Sequence, residues 1–375
     1  MMSIAAARVF DGITMHARMS VEIEAGTVTA LRPGAGTHDL PPDWLLAPGF
    51  VDLQVNGATD LLFNDLLFND APATDALAAI AAALARLGTT SMLPTLISAH
   101  ETIARALAAT ADAIRAGVAG VLGTHIEGPF INPARRGVHP ARAIVPIREE
   151  DVALLVRPHP GIVAVTLAPE CIEAGQLDQL VRGPVVFAGH SEATWEQADR
   201  ALEQGVVGFT HLFNAMSQFG SRAPGCVGAA LAHARACAGI ICDGLHVHPA
   251  SVRAAFRAMG PDRLFLVSDC MPTVGGTAGR FTWDGESIVL SNGRLARADG
   301  TLAGAHVTMA ECVERAVRLC GIPLADALRM ATATPARHAG ATRVGRLAPG
   351  CRADLVALDE ALRVQAVWQG GRRLV

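Results

Sequence analysis

The chain has 375 residues and 51% hydrophobic content, enough for one large domain with a smaller companion. Charged residues make up 18% and the formal net charge is −4, so no basic excess points to nucleic acid or a membrane surface. No run of about 18 apolar residues predicts a membrane span, no basic-then-apolar leader is visible, and the eight cysteines are scattered without a CxxC, as expected of reduced thiols in a cytoplasmic protein.

In chain order, residues 1–45 alternate in short strand-like pieces, "IAAARVFDG" and "MSVEIEAGTVTALRPG". Residues 344–375, "GRLAPGCRADLVALDEALRVQAVWQGGRRLV" with Val344 before them, have the same character. Both ends are β-rich and punctuated by turns. This predicts one small β-sandwich domain built from both termini, with a large domain, 46–343, inserted between them.

The middle alternates. Apolar strand-like runs fall at 50–56, 90–96, 121–127, 162–168, 185–190, 206–211, 239–243 and 264–269. Helix-like stretches such as "TDALAAIAAALARLG", "HETIARALAATADAIRAG" and "TWEQADRALEQG" separate most of them. Continuous apolar strands alternating with helices mean a parallel sheet. Eight such units predict a (β/α)8 TIM barrel, with a doubly wound open sheet as the alternative. Two segments interrupt the rhythm. "GPFINPARRGVHPARAIVP" is too long and polar for a tight connection and reads as an active-site loop. "LLFNDLLFND" (61–70) is a tandem duplication too short for a repeat fold, and reads as a tolerated loop insertion.

In a TIM barrel the chemistry sits at the C-terminal ends of the strands. There the sequence places Gln54 and Asn56, then Glu127 with His125 two residues before it, then His190, His211, Asp243 with His246 close behind, and Asp269. Any one of these histidines could be a satisfied core residue. Four apolar runs closing on ionisable groups around one ring are hard to assign to packing. One Glu and two His make a three-ligand site for a catalytic divalent ion, with the fourth position open. Zn2+ is the default for such mixed ligation, and Fe2+, Co2+ or Mn2+ also suit it. A free Asp beside it can move the water's proton.

At these residues the chain becomes recognisable. "LAPGFVDLQVNG", "THIEGPFINPARRGVHP", "AGHSEATWEQADRALEQGVVGFTHLFNAM", "SRAPG", "ICDGLHVHP", "LVSDCMP" and "GRLAPGCRADLVALD" occur in the order seen in the N-acetylglucosamine-6-phosphate deacetylase family of the amidohydrolase superfamily. The resemblance runs from about residue 46 to the end. It implies that Glu127, His190 and His211 hold one divalent metal and that Asp269 is general base and then general acid. His139, in "GVHP", would polarise the acetyl carbonyl. Asn214, Ala215 and His246 would contact the sugar phosphate, and Leu302 would line the acetyl pocket. Arg222 would reach the phosphate of a neighbouring subunit, which implies a homodimer. His125 is expected to support the metal site from behind, His248 and the pair Arg135 and Arg136 to be solvated.

The expected activity is hydrolysis of N-acetyl-D-glucosamine 6-phosphate to glucosamine 6-phosphate and acetate. The alternatives are a galactosamine-phosphate deacetylase, another amidohydrolase acting on an N-acyl substrate, and a barrel without catalysis. Dihydroorotase-like relatives carry an HxH on the first strand, which is Gln54-Val-Asn56 here. Amides are weak ligands for Zn2+ beside imidazole. The expectation is one tight ion, with Gln54 and Asn56 holding water or at most a weak second ion.

Overall fold

Eight strands, all parallel to their neighbours, form the central sheet: Phe50–Val55, Thr89–Ile97, Gly123–Glu127, Ile162–Leu167, Val185–Ala188, Gly208–Phe209, Cys237–Ile241 and Leu264–Val267. They follow one another in chain order. The computed structural model describes residues 2–34, 39–67 and 73–375. The strands are buried along nearly their whole length, as parallel strands covered by helices must be. The sheet curls until its first and last strands meet, so the (β/α)8 barrel forms and the open doubly wound sheet does not.

Helices flank the strands where the sequence predicts them. Ala73–Arg86 follows the first strand, Ile103–Arg115 the second and Trp195–Gln204 the fifth. The last begins in a capping box: Thr194 Oγ1 accepts from the Gln197 amide, and the Gln197 side chain accepts from the Thr194 amide.

A second sheet has seven strands. Its order is Arg372–Arg373, Val364–Gln369, Leu355–Leu358, Leu45–Pro48, Met2–Phe10, Met15–Glu24 and Thr27–Pro33, so both termini build it. It has a core of its own, including Val9, Val21, Val28, Leu46, Leu355 and Trp368. The strand Leu45–Pro48 pairs with Leu355–Leu358 on one side and Met2–Phe10 on the other. It leads directly into the first barrel strand and ties the two sheets together.

Two elements differ from the sequence reading. The first copy of the duplication is not a loose loop. Leu61–Leu62 forms a short strand and Phe63–Leu66 a helical turn, and the Asn64 side chain bonds both the amide and the carbonyl of Ile97. Residues 68–70 of the second copy lie outside the described residues. After the last barrel strand, a three-stranded antiparallel sheet (Arg280–Trp283, Glu286–Ser291, Arg294–Ala296) had no counterpart in the sequence reading. Its signal is in the chain: Asp284-Gly285 and Asn292-Gly293 each take positive φ at both residues, the requirement of a tight primed hairpin turn.

The seam between first and last strands is closed by side chains more than by a ladder. The Asn56 and Gly57 amides both donate to the Cys270 carbonyl, at 3.0 and 3.1 Å. Below them Asp52 accepts from the amides of Gln54 (3.2 Å) and Ser268 (3.3 Å) and from the Ser268 hydroxyl. Burial pushes Asp52 up to about 6, against these hydrogen bonds. Among the described residues no helix is long and apolar enough to cross a membrane.

Because Asp52 holds its proton more tightly folded than unfolded, its contribution to stability is full below pH 3.8 and is lost as pH rises through about 6. Asp52→Asn removes this titration and keeps an amide oxygen for the two backbone donors. Denaturant unfolding between pH 4 and pH 7 should show wild type losing stability relative to D52N as pH rises, by on the order of 3 kcal/mol. A pH-independent difference between the two would contradict this account of the seam.

Candidate metal centre and active-site pocket

Glu127 is the last residue of the third strand. His190, His211 and Asp269 each lie two residues past the described ends of strands five, six and eight, where the sequence reading has them closing the strands. All three have left-handed backbone, with φ of 49°, 33° and 52°. A non-glycine residue there carries strain of roughly 1–3 kcal/mol. The strained turn breaks the strand and swings the side chain over the barrel mouth.

Glu127, His190 and His211 come together and are buried. His211 Nε2 lies 2.9 Å from Glu127 Oε1, His190 Nε2 lies 3.3 Å from the same oxygen, and the two imidazole nitrogens are 3.1 Å apart. His190 Nδ1 donates to the Arg135 carbonyl at 2.8 Å, so in the neutral ring its Nε2 is a lone pair. Three electron-rich atoms therefore converge with too few protons to bridge them. Burial would raise the Glu127 carboxyl, but the bonds and charges of His190 and His211 outweigh it and hold it well below the ordinary range. Burial would lower His211, but the Glu127 bond and charge hold it above its usual value. Each shift says that positive charge is favoured between these atoms. Their separations also suit donors that each reach one ion at about 2.0–2.2 Å. The cluster fits a divalent metal.

The pocket above it has a volume of about 180 Å³. Of the residues singled out from sequence, Asn56, Glu127, His139, His190, His211, Asn214, Ala215, His246, Asp269 and Leu302 line it. Gln54 lies beneath it and donates its amide to Glu127 Oε1 at 3.0 Å. Asn56 donates to Asp269 Oδ1 at 2.7 Å. Both first-strand amides thus serve the two carboxylates as donors. Arg222 is exposed, outside the pocket. His125 is turned to Thr166 Oγ1 (2.7 Å) and the Leu53 carbonyl (3.1 Å), and stands apart from the metal cluster. His248 is exposed and caps a helix, accepting from the Ala250 amide. Arg135 is paired with Glu192, and Arg136 bonds the His139 carbonyl at 3.1 Å.

Asp269 is pushed up to about 7, first by burial and then by the Glu127 charge, against His211 and the Asn56 bond. A carboxyl poised near neutrality can both take and return a proton. His139 is held well below its ordinary value by burial and by His190, so its ring is neutral. Its Nδ1 lies 2.7 Å from Ser98 Oγ. If that hydroxyl donates, Nδ1 is the acceptor and the proton sits on Nε2, ready for a substrate oxygen.

Sequence reasoning left two partners without a role. Ser98 sits one residue beyond the second strand, beside His139. Asp243 accepts from the amides of Leu245 and His246 at 2.8 Å and from His246 Nδ1 at 2.6 Å, and so orients His246. Asp243 was visible as a strand-end carboxylate, and its spacing to His246 was the signal. Ser98 carried none.

Fold and site together define a metal-dependent hydrolase built on a barrel. The Amidohydrolase family model matches residues 45–374, and the chain belongs to the amidohydrolase family. It is 38% identical over 371 residues to an N-acetylgalactosamine-6-phosphate deacetylase of Shewanella sp. (strain ANA-3), covering 98% of this chain and 91% of that protein. It is 36% identical over 340 residues to the N-acetylglucosamine-6-phosphate deacetylase of Haemophilus influenzae, covering 89% and 87%. The crystal structure of N-acetylglucosamine-6-phosphate deacetylase from Pasteurella multocida superposes with a TM-score of 0.91 at 31% identity, over 99% of each chain. A mutant of the Mycobacterium smegmatis enzyme in complex with N-acetyl-D-glucosamine-6-phosphate gives 0.89 at 34% identity, over 100% and 99%. The resemblance read from the motifs is borne out.

Loading the metal-free protein with Zn2+ should raise its melting temperature, since binding only the folded state stabilises it by mass action. Glu127→Gln should remove most of that rise, and elemental analysis should find the variant depleted of metal. An equal Zn2+ response in E127Q would remove Glu127 from the site.

Proposed function

We propose that this chain is a metal-dependent deacetylase of N-acetylated hexosamine 6-phosphates, acting on N-acetyl-D-glucosamine 6-phosphate to give D-glucosamine 6-phosphate and acetate. The observation that carries the reading is one pocket that combines the Glu127, His190 and His211 cluster with a carboxyl poised near 7, Asp269. The names of the relatives support the substrate class.

Glu127, His190 and His211 would hold one divalent ion, Zn2+ by default. When bound, such an ion lowers the pKa of a water ligand from about 15.7 towards 7 and polarises a carbonyl. Asp269 takes the proton of the attacking water and returns it to the departing amine, so amide and water become acetate and amine. Asn56 holds the Asp269 carboxylate in place. His139 donates from Nε2 to the acetyl oxygen as it gains charge, a contribution of about 3–4 kcal/mol for a preorganised donor. Asn214, Ala215 and His246 hold the sugar phosphate, and Leu302 closes the acetyl side. Gln54 and Asn56 give their N–H groups to the carboxylates, and amide oxygens are weak ligands beside imidazole, which supports one tight ion.

In a cytoplasmic homodimer, Arg222 would reach the neighbouring pocket, and its exposure in this chain suits that role. The galacto isomer is the second reading, favoured by the Shewanella relative. Acetate release on both 6-phosphates separates the two, and equal rates on unphosphorylated sugars would sink both.

Asp269→Asn should retain metal and lose turnover about 10²–10⁴-fold, the usual worth of a general acid–base group. Wild-type rates in D269N would overturn the assignment. Ser98→Ala, which frees the His139 tautomer, should lower kcat about 10-fold or more with metal content unchanged. An unchanged kcat there would mean that Ser98 does not orient the ring.

A further inference from the structure

We propose that the three-stranded insertion Arg280–Ala296 sets His139 at its working position, and that Trp283 is the positioning residue. The proposal rests on the deacetylase reading of the pocket.

His139 is carried by a long segment, 128–146, whose only regular pieces are the short 3₁₀ turns Pro133–Arg135 and Ala141–Ala143. No strand ladder holds it. The residue just before His139 is anchored instead by the insertion. The Val138 carbonyl accepts from the Trp283 indole Nε1 at 2.9 Å and from Arg297 Nη2 at 3.3 Å. One loop carbonyl thus receives two side-chain donors, one from the insertion and one from the residue that follows it. Further along the same segment, Arg142 pairs with Asp284 in the insertion's first turn.

Trp283 is itself fixed. It is 7% exposed and packs in a small separate core with Leu62, Ile97, Val138, Met271, Ile288 and Leu295. A buried indole N–H needs an acceptor, and here it takes the Val138 carbonyl. Beside this contact the loop and the insertion do not pack continuously. A cleft of about 390 Å³, lined by Ser98, Pro140, Arg142, Trp283 and Asp284 among others, lies between them. Few links therefore carry the coupling.

Among the described residues the ring of His139 is bonded at Nδ1 by Ser98, and it packs against the His190 ring with centroids 4.2 Å apart. With the Ser98 hydroxyl donating, Ser98 holds the tautomer, and the Val138 anchor sets where the ring stands. The insertion's far end also bonds the segment that carries Leu302: the Ala303 amide donates to the Leu295 carbonyl at 3.1 Å, and Leu302 lines the pocket. The insertion thus contacts both the segment of His139 and the segment of Leu302. The geometry matters because misplacing a reacting group by about 1 Å can cost up to 10²-fold in rate.

Trp283→Phe keeps the ring and removes the donor. The holoenzyme should lose kcat about 5- to 20-fold, with KM and metal content nearly unchanged, because an oxyanion donor acts mainly in the transition state. In a His139→Gln background the same change should have no further effect, a non-additivity that a merely structural tryptophan would not produce. Wild-type kcat in W283F, or full additivity with H139Q, overturns the proposal. Should W283F not fold, Arg297→Met removes the other donor to the same carbonyl, with the same expected non-additivity. Ring ¹⁵N shifts of His139 give a readout that does not need turnover. They should move in W283F or R297M, and unmoved shifts overturn the proposal. A wild type inactive on every amino-sugar phosphate would sink the deacetylase reading, and the ring shifts would still decide this one.

Discussion

A single oxygen, Oε1 of Glu127, organises the barrel mouth. It lies within hydrogen-bonding reach of Gln54 from the first strand, His190 beyond the fifth and His211 beyond the sixth. Removing a carboxylate from water costs several kcal/mol even after relaxation, and a buried one survives only with partners that return most of it. Gln54 is one such partner, and the two imidazoles, with the divalent ion that the cluster fits, would supply the rest. The cost of burying Glu127 therefore locks four strands of the ring into one arrangement. A barrel with an apolar residue at 127 would have no such reason to keep both imidazoles over its mouth.

The first strand shows how the fold and the chemistry share one pattern. Asp52, Gln54 and Asn56 are two residues apart, so a strand puts them on one face. Each is buried and each reaches a different part of the molecule: Asp52 the last strand at Ser268, Gln54 the metal cluster, Asn56 the Asp269 carboxylate. Asp52 closes the barrel, and the two amides serve the site. An amide presents a donor to an acceptor-only carboxylate where an imidazole lone pair would present a ligand to an ion. Gln54 and Asn56 thus make this strand end one that steadies the two carboxylates.

Much of this was legible in the sequence, and the parts that were not have physical causes. The eight strands were readable because parallel strands buried on both faces give continuous apolar runs. Glu127, His190, His211 and Asp269 stood out because an ionisable side chain ending such a run has no packing reason to be there. The left-handed turns at His190, His211 and Asp269 were not readable, since histidine and aspartate carry no mark of positive φ as glycine does. The insertion was not read, although Asp284-Gly285 and Asn292-Gly293 mark its turns, because its mostly exposed strands do not follow the barrel's rhythm. Ser98 and Trp283 were out of reach. Their meaning lies in contacts with a loop about 40 and 145 residues away in sequence, and a lone serine or tryptophan is ordinary anywhere.

The strained turns also say which demand won at the strand ends. Left-handed backbone at His190, His211 and Asp269 carries roughly 1–3 kcal/mol at each position. A barrel chosen for stability alone would put glycine or asparagine there, or continue the strand. Instead the chain keeps three residues whose side chains converge on one small pocket. Asn132 donates its amide to the His190 carbonyl at 2.9 Å, and the Leu212 amide bonds the Gly239 carbonyl at 2.8 Å, so neighbouring backbone braces two of the turns. The Ala305 amide braces the third through the Asp269 carbonyl at 2.9 Å, and Asn56 reaches the same residue from the first strand. The brace for Asp269 comes from the segment that follows the insertion. The part of the chain least like a barrel therefore supports the Asp269 carboxylate, and through Val138 it supports the loop that carries His139.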